Sequence, residues 1–226
     1  MARLFNRNFI VGVTGSIAAY KAAELTRSLI REGANVRVIM TEGACEFITP
    51  LTLQALSGHE VHTDLLDTEA EAAMGHIELA RWADAFLIAP ASADSIARLV
   101  QGRADDLLGA CALATPAPVF VAPAMNQEMW AKQATQDNVQ TLVSRGIAML
   151  GPSSGSQACG DFGAGRLLEP DDIVSAVIAH LCTGTLSGLH VVVTAGPTRE
   201  PICPVRYISN RSCLLYTSPS PRDGDE

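Results

Sequence analysis

Val119-Phe-Val-Ala-Pro-Ala-Met-Asn-Gln-Glu-Met-Trp130 is the densest chemical signal in this chain. Val119–Ala122 reads as a short buried strand, and Pro123 ends it because proline has no N–H to give to a ladder. Asn126 then falls at the strand's carboxyl end, which faces the ligand crevice in an open α/β sheet. A side-chain amide there donates and accepts hydrogen bonds without bringing charge. The same residue also suits the N-cap of a following helix, with Met125, Met129 and Trp130 as core. The segment alone leaves both readings open.

Three other segments offer reactive or anion-binding groups. Gly12-Val-Thr-Gly-Ser-Ile-Ala-Ala19 is a strand-to-helix turn, but not G-x-G-x-x-G. Where a dinucleotide ribose would want an acid after the second strand, Thr41 stands, followed by Glu42. Gly15 and Ser16 nevertheless place a small residue and a hydroxyl at a helix N-terminus, where the dipole favours an anion. A mononucleotide phosphate fits better than a dinucleotide, and the plain alternative is a glycine turn with a serine cap. Pro90-Ala-Ser-Ala-Asp-Ser95 repeats the pattern. Pro90 is expected to stop its strand, and Ser92 and Ser95 are hydroxyl donors. Asp94 either caps the helix or meets a ligand hydroxyl. Two such turns on neighbouring strands can hold one phosphate between them.

His76, in Gly75-His-Ile-Glu-Leu79, opens a helix, and an imidazole there can act as a base or pair with a carboxylate. A lone histidine is equally a structural residue. Cys159 lies in the 155–166 stretch, which holds four glycines and reads as a lid. A thiol on a lid is accessible, unlike a buried structural cysteine; the alternative is an incidental thiol in a loop.

The elements that must position these groups alternate along the chain. Strands are expected at Phe9–Val13, Asn35–Met40, Phe86–Ala89, Val119–Ala122 and Ile147–Leu150. Helices are expected at Ile17–Arg31 (capped by Ser16), Thr49–Leu56, His76–Trp82, Ser92–Val100, Asp105–Thr115, Gln136–Arg145 and Asp171–Leu181. This is an α/β pattern: a doubly wound, mostly parallel sheet with helices on both faces, flavodoxin- or Rossmann-like in three layers. Thr183–Gly188 reads as a linker. Leu189–Thr194 then begins a second α/β domain that is cut short, too small to bury its own core. Ser212–Glu226 lacks periodicity and resembles translated sequencing-adapter read-through, so it is expected to be a non-native, disordered tail.

Composition narrows the function classes. Hydrophobic residues make up 48% of the 226 and aromatics only 5%, which suits tight helix-on-sheet packing. A net charge of −8, without any Lys/Arg run, argues against a nucleic-acid partner. The six cysteines, at 45, 111, 159, 182, 203 and 213, form no Cys-x-x-Cys pair, so neither a metal site nor disulfides are expected. No stretch approaches a membrane span or a signal peptide. A reducing, cytoplasmic setting follows.

Taken together, these motifs resemble the flavin-containing cysteine decarboxylases. Specifically, they resemble the amino-terminal part of the bacterial bifunctional phosphopantothenoylcysteine decarboxylase / phosphopantothenate–cysteine ligases. The resemblance rests on Gly15-Ser-Ile-Ala-Ala-Tyr-Lys21, His76-Ile-Glu-Leu79 with Trp82-Ala-Asp84, Pro90-Ala-Ser-Ala93, the Asn motif Pro123–Trp130 and the Cys motif Ala158-Cys-Gly-Asp161. It covers about residues 8–182. Thr194–Glu200 and Pro204–Asn210 resemble the opening of the ligase domain, and the match stops at Asn210. Asp94 stands where many relatives carry Asn.

The resemblance implies an FMN-binding decarboxylase domain over 1–182, a linker over 183–188, a ligase-like start over 189–211 and the tail over 212–226. It implies FMN held by Gly15, Ser16, Thr41, Ser92, Asp94, Ser95 and Ala124. Substrate would meet Asn126, Met125 and Ala158. The substrate is 4′-phospho-N-pantothenoylcysteine, whose carboxylate has no neighbouring carbonyl to receive electrons. Oxidation of its thiol to a thioaldehyde by FMN creates that sink, CO2 leaves, and reduction of the enethiol gives 4′-phosphopantetheine. Asn126 would hold the carboxylate, His76 would be the base, and Cys159 would donate a proton in the reduction. Ligation with CTP and Mg2+ is expected to be missing. The family also implies a trimer or dodecamer with active sites at subunit contacts. Rival readings are a peptidyl-cysteine decarboxylase, a flavin prenyltransferase and a non-catalytic flavin-binding regulatory subunit.

Overall fold

Phe9, Val11 and Val13 point to one face of a strand and Ile10 to the other, because side chains alternate along an extended backbone. That alternation divides the core into two layers. The computed structural model describes residues 3–65, 75–181, 199–203 and 206–209. The chain divides into two compact units, Met1–Thr183 and Gly184–Glu226.

The first unit is built on six parallel strands: β1 (Asn8–Val13), β2 (Asn35–Met40), β3 (Val61–His62), β4 (Ala85–Ala91), β5 (Val119–Pro123) and β6 (Ala148–Met149). Their order is β3-β2-β1-β4-β5-β6. This is the doubly wound Rossmann order, whose direction reverses between β1 and β4. One face carries Phe9, Val11, Val38, Met40, Leu87 and Phe120 against α1 (Lys21–Arg31) and α9 (Pro170–Leu181). The other carries Ile10, Ile39, Phe86, Ile88 and Val121 against α4 (His76–Trp82), α5 (Ala93–Gln101), α6 (Leu107–Ala114) and α8 (Gln133–Ser144). Gly12 has no side chain because a Cβ there would come within 2.8 Å of Leu108 Cδ1, so α6 packs directly on β1.

The structure refines several sequence expectations. The helix after β1 opens as a tighter 3₁₀ turn, Ile17–Tyr20, before α1, with Ser16 Oγ accepting from Ala18 N at 3.3 Å. α1 buries Lys21, Ala22, Leu25 and Leu29 at helical spacing, and Gly33 follows it at φ +91°. Short elements not anticipated are β3 and α2 (Glu42–Cys45), and the helix that Asn126 is suited to cap is the short α7 (Gln127–Ala131). α3 (Pro50–Ser57) ends at Gly58 in the left-handed conformation.

Pro90 does not stop its strand. β4 continues to Ala91, because the ladder to β5 shifts register between Ile88 and Ala91, leaving room for a residue without N–H. Ala124 N then donates to Ala91 O at 3.0 Å.

The expected lid is an antiparallel hairpin, β7 (Ser153–Ser156) with β8 (Phe162–Arg166). Its turn holds Gln157–Asp161. In the second unit the described residues form an antiparallel pair, β9 (Arg199–Pro201) and β10 (Tyr207–Ser209). The Thr183–Gly188 linker, the Leu189–Thr194 strand, Asn210 and the Ser212–Glu226 tail lie outside the described residues.

Candidate active site

The loops after β1, β4 and β5 meet where the strand order reverses. Thr14 fastens two of them: its Oγ1 donates to Pro90 O at 2.8 Å and accepts from Ser92 N at 2.9 Å. Ser16 Oγ reaches toward Ala124 O at 3.4 Å, joining the third. A cavity of ≈ 690 Å3 opens here and is closed on its far side by the β7–β8 turn. Gly15, Ser16, Ser92, Ala124, Met125, Asn126, Ala158 and Cys159 all line it.

The cradle suits a phosphate. Ser16 and Ser92 each begin a helical turn, and both hydroxyls border the same cavity. Helix N-termini present free N–H groups and a partial positive charge. Gly15 lies so close to α2 that a Cβ would stand 3.2 Å from the Gly43 backbone. A side chain at 15 would force this wall apart. Three walls of backbone and small residues, with two hydroxyls and no acid aimed inward from those turns, match the phosphate end of a mononucleotide.

Four expected residues do not line the cavity. Thr41 precedes α2 and gives its N–H to Val13 O at 3.0 Å. Asp94 is 72% exposed, its carboxylate committed to Arg98 at 2.8 Å. Ser95 is buried against Ser92, with 3.0 Å between their hydroxyls, and so supports Ser92 from behind. His76 begins α4, which packs on α6; its carbonyl accepts from Cys111 Sγ at 3.5 Å. Within one chain, His76 is not brought to Asn126.

Asn126 performs the capping role and keeps a second face free for chemistry. Its Oδ1 accepts from Glu128 N at 2.8 Å at the start of α7. With the oxygen so placed, Nδ2 must face the β7–β8 turn. There it lies 3.3 Å from Gln157 Oε1, 3.4 Å from Cys159 Sγ and 3.3 Å from Asp161 Oδ2. The hairpin is docked, not free. Gly165 O accepts from Met125 N at 2.9 Å, and Gln157 Oε1 accepts from Gln127 N at 3.1 Å. Gly163 and Gly165 permit this: a Cβ would strike Gln127 Oε1 at the first and Met125 O at the second.

Sequence reasoning missed two contributors. Gln157 ties the turn to α7, and its only sequence signal is its place two residues before Cys159. Lys21 lines the cavity with its side chain just 10% exposed, and Nζ lies 2.9 Å from Glu169 Oε2. The Lys21 hydrogen bond, helped by Arg166 at 2.7 Å, holds the Glu169 carboxyl below its ordinary range. A lysine on the apolar face of α1 was the available signal.

A doubly wound sheet with a phosphate-sized cradle at its switch point, crossed by an amide and a thiol, defines an α/β protein built to hold a nucleotide-like cofactor beside a reactive centre. A family model described as Flavoprotein matches residues 3–182, and the chain belongs to this flavoprotein family, with a flavin as its cofactor. A second model, the DNA/pantothenate metabolism flavoprotein C-terminal domain, matches residues 186–213.

The coenzyme A biosynthesis bifunctional protein CoaBC of Haemophilus influenzae is 58% identical over 211 residues, covering 93% of this chain and 53% of that protein. Its Escherichia coli K12 counterpart is 57% identical, covering 92% and 52%. The chain thus spans about half the length of these relatives. Among solved structures, a cysteine-to-serine mutant of PPC decarboxylase complexed with pantothenoylaminoethenethiol superposes with TM-score 0.69 at 32% identity, covering 78% of this chain and 98% of that one. The FMN-binding protein AtHal3 gives 0.67 at 33% identity, covering 80% and 98%. The FMN-dependent cysteine decarboxylase SpaF gives 0.68 at 30%, covering 80% and 99%. Among the described residues no helix is long and apolar enough to cross a membrane, and no group of three His, Cys, Asp or Glu side chains could hold a metal.

Proposed function

We propose that this chain decarboxylates 4′-phospho-N-pantothenoylcysteine to 4′-phosphopantetheine, a step of coenzyme A biosynthesis, with FMN as its flavin. The observation that carries this reading is the meeting of the Asn126 amide and the Cys159 thiol, 3.4 Å apart, at the wall of a cradle suited to a flavin phosphate. Bound FMN supplies a reversible two-electron oxidation, which the side chains of this protein cannot. Gly15, Ser16, Ser92 and Ala124 would hold it.

The protein's own groups supply binding, orientation and protons. Asn126 Nδ2 donates to the substrate carboxylate and points it across the cavity, with Met125 and Ala158 as walls. Cys159 gives a proton to the carbon that has lost CO2. His76 acts as base from a second copy of the chain, in a homo-oligomer with sites at subunit contacts. Its distance from the cavity of its own chain supports that arrangement, as do the exposed apolar Ile17, Tyr20 and Met129 at the rim. Residues 1–182 form the decarboxylase domain in this reading, and 189–211 belong to a ligase-like domain.

A cysteine decarboxylase acting on a peptide end is the main rival, since SpaF, an FMN-dependent cysteine decarboxylase, shares the fold as closely as PPC decarboxylase does. The 58% identity to CoaBC and the second family model after residue 186 favour the coenzyme A substrate. The test is the visible spectrum of the purified protein before and after adding phosphopantothenoylcysteine, with CO2 measured alongside. A flavin band that bleaches and recovers as CO2 appears is the expected result. A colourless protein that releases no CO2 would leave a non-catalytic binding role.

A further inference from the structure

Asp161 has no part in the chemistry assigned so far, yet its Oδ2 touches both of the groups that do. The Cys159 thiol donates to it across 3.2 Å, and the Asn126 amide across 3.3 Å. The turn that carries it is closed by two backbone bonds, Gln157 N to Asp161 O at 2.8 Å and Gly160 N to Gln157 O at 3.0 Å. Gly160 sits between Cys159 and Asp161 at φ +92°, a conformation that brings the side chains on either side of it together.

We propose that Asp161 is a positioning residue: its carboxylate accepts the Cys159 S–H, aims the thiol at the Asn126 end of the cavity, and yields Asn126 to the substrate carboxylate. The proposal rests on the proton-donor role given to Cys159 above.

Three observations carry it. First, an S–H donates only while it holds its hydrogen, so the contact selects the form of Cys159 that can give a proton. The other acceptor near the thiol, Gln157 Oε1, is farther away at 4.0 Å. Second, Asn126 is rigid, because its oxygen is spent on the α7 cap. Its two amide hydrogens face three acceptors at 3.3–3.4 Å; the two oxygens are at long range and the sulfur is a weak acceptor, so none holds it tightly. Third, one of the three is itself a carboxylate oxygen. An incoming substrate carboxylate reproduces the contact that Asp161 makes, and two anions on one amide repel. Asp161 therefore gives up Asn126 and keeps Cys159.

In the reduction half, the S–H bond of Cys159 breaks as a C–H bond forms on the carbon that lost CO2. The electron pair for that bond comes from the enethiolate. The two electrons that complete the product are those taken from the substrate thiol at the outset. Cys159 recovers its proton from solvent, to which both it and Asp161 are exposed.

The experiment uses the FMN-loaded protein and phosphopantothenoylcysteine, and measures CO2 and phosphopantetheine separately. A second readout, without substrate, is the rate of Cys159 alkylation by iodoacetamide, followed by peptide mass. A neutral amide accepts a hydrogen bond less well than a carboxylate. In Asp161→Asn the CO2-to-product ratio should therefore rise from one to about ten or more, less than the roughly 10²–10⁴-fold that loss of the general acid itself costs. Cys159 should alkylate about threefold faster in that variant, since the hydrogen bond that holds its thiol is weaker. Asp161→Glu, which keeps the carboxylate, should bring the ratio most of the way back. Cys159→Ser with Asp161→Asn should be no worse than Cys159→Ser alone.

A ratio of one in Asp161→Asn, while Cys159→Ser accumulates enethiol, overturns the role of Asp161 and leaves Cys159 intact. A ratio of one in Cys159→Ser removes the donor reading itself, and the proposal with it. Equal loss of CO2, product and bound flavin in Asp161→Asn, unrelieved in Asp161→Glu, would make the residue structural and also overturn the proposal.

Discussion

The Asn126 amide nitrogen lies 3.4 Å from the Cys159 sulfur, although 33 residues separate them in the chain. The contact exists because Asn126 begins α7 and the β7–β8 hairpin docks its turn on that same helix start. The cap on Glu128 N fixes which end of the amide looks at the thiol. One residue therefore serves fold and site with different atoms.

That division of labour makes Asn126 testable by substitution. Asp caps a helix as well as Asn does, so Asn126→Asp should keep the thermal midpoint nearly unchanged. It loses both N–H donors and sets a carboxylate against the substrate's own. A hydrogen bond to a charged partner contributes about 1.5–3 kcal/mol, so kcat/KM should fall roughly 10- to 100-fold or more. Asn126→Ala should show the same activity loss together with about 1 kcal/mol of lost stability. Equal activity of Asn126→Asp and the parent, measured as CO2 release, would reduce Asn126 to a cap.

The cysteines should separate sharply toward thiol reagents. Cys111 is fully buried on α6, and burial pushes its thiol up to about 12, with Asp106 adding to the effect. Cys159 is exposed on the hairpin turn. At pH 8, iodoacetamide followed by peptide mass mapping should label Cys159 and leave Cys111 unmodified in the folded protein, both reacting once the chain is denatured.

What could be read from the residues, and what could not, divides along physical lines. The strands β1, β2, β4 and β5 were legible because runs such as Phe-Ile-Val-Gly-Val and Phe-Leu-Ile-Ala are too apolar to be anything but buried on both faces. The Asn126 and Cys159 motifs were legible as chemistry, but not as neighbours, because their contact is tertiary. The hairpin was hidden because Ser153–Ser156 and Phe162–Arg166 are rich in Ser and Gly, which carry no strand signal. It forms because glycine lets its backbone approach Met125 and Gln127 closely. The run through Pro90 was hidden because a register shift in a ladder leaves no trace in composition. Asp94 and Ser95 both open the helix after β4, and only packing sends one to Arg98 and the other behind Ser92.

The wall between β1 and α2 predicts an asymmetry between two glycines. A Cβ on Gly15 would stand 3.2 Å from the Gly43 backbone, whereas a Cβ on Gly43 would meet Gly15 Cα at an ordinary 3.5 Å. Gly15→Ala should therefore spread the cradle and weaken FMN binding by about tenfold, the equivalent of roughly 1.4 kcal/mol, and Gly43→Ala should leave it within about twofold. Flavin fluorescence titration of the stripped proteins measures both. Equal affinity in the two variants would show that Gly15 does not shape the cradle.

The start of the chain supplies a pH-dependent contribution that can be assigned to one pair. Arg3 Nη2 lies 2.7 Å from Glu32 Oε1, just past α1, and Arg3 N donates to the other oxygen at 3.1 Å. These hydrogen bonds hold the Glu32 carboxyl down at about 2, against an ordinary 4.5. A carboxyl whose proton is held less tightly in the fold than in the unfolded chain stabilises the fold above its unfolded value. That contribution is complete above pH 4.5 and drains away as the pH falls through the window toward about 2. In Arg3→Ala, which removes the guanidinium and keeps the backbone N–H, the Glu32 resonance, followed by NMR, should titrate clearly above 2 but still below 4.5, and stability should become flatter with pH across the same window. Both side chains are partly solvated, so the loss at neutral pH should be small and should shrink further in high salt. A Glu32 midpoint that stays near 2 without Arg3 would place the cause elsewhere on the α1 terminus.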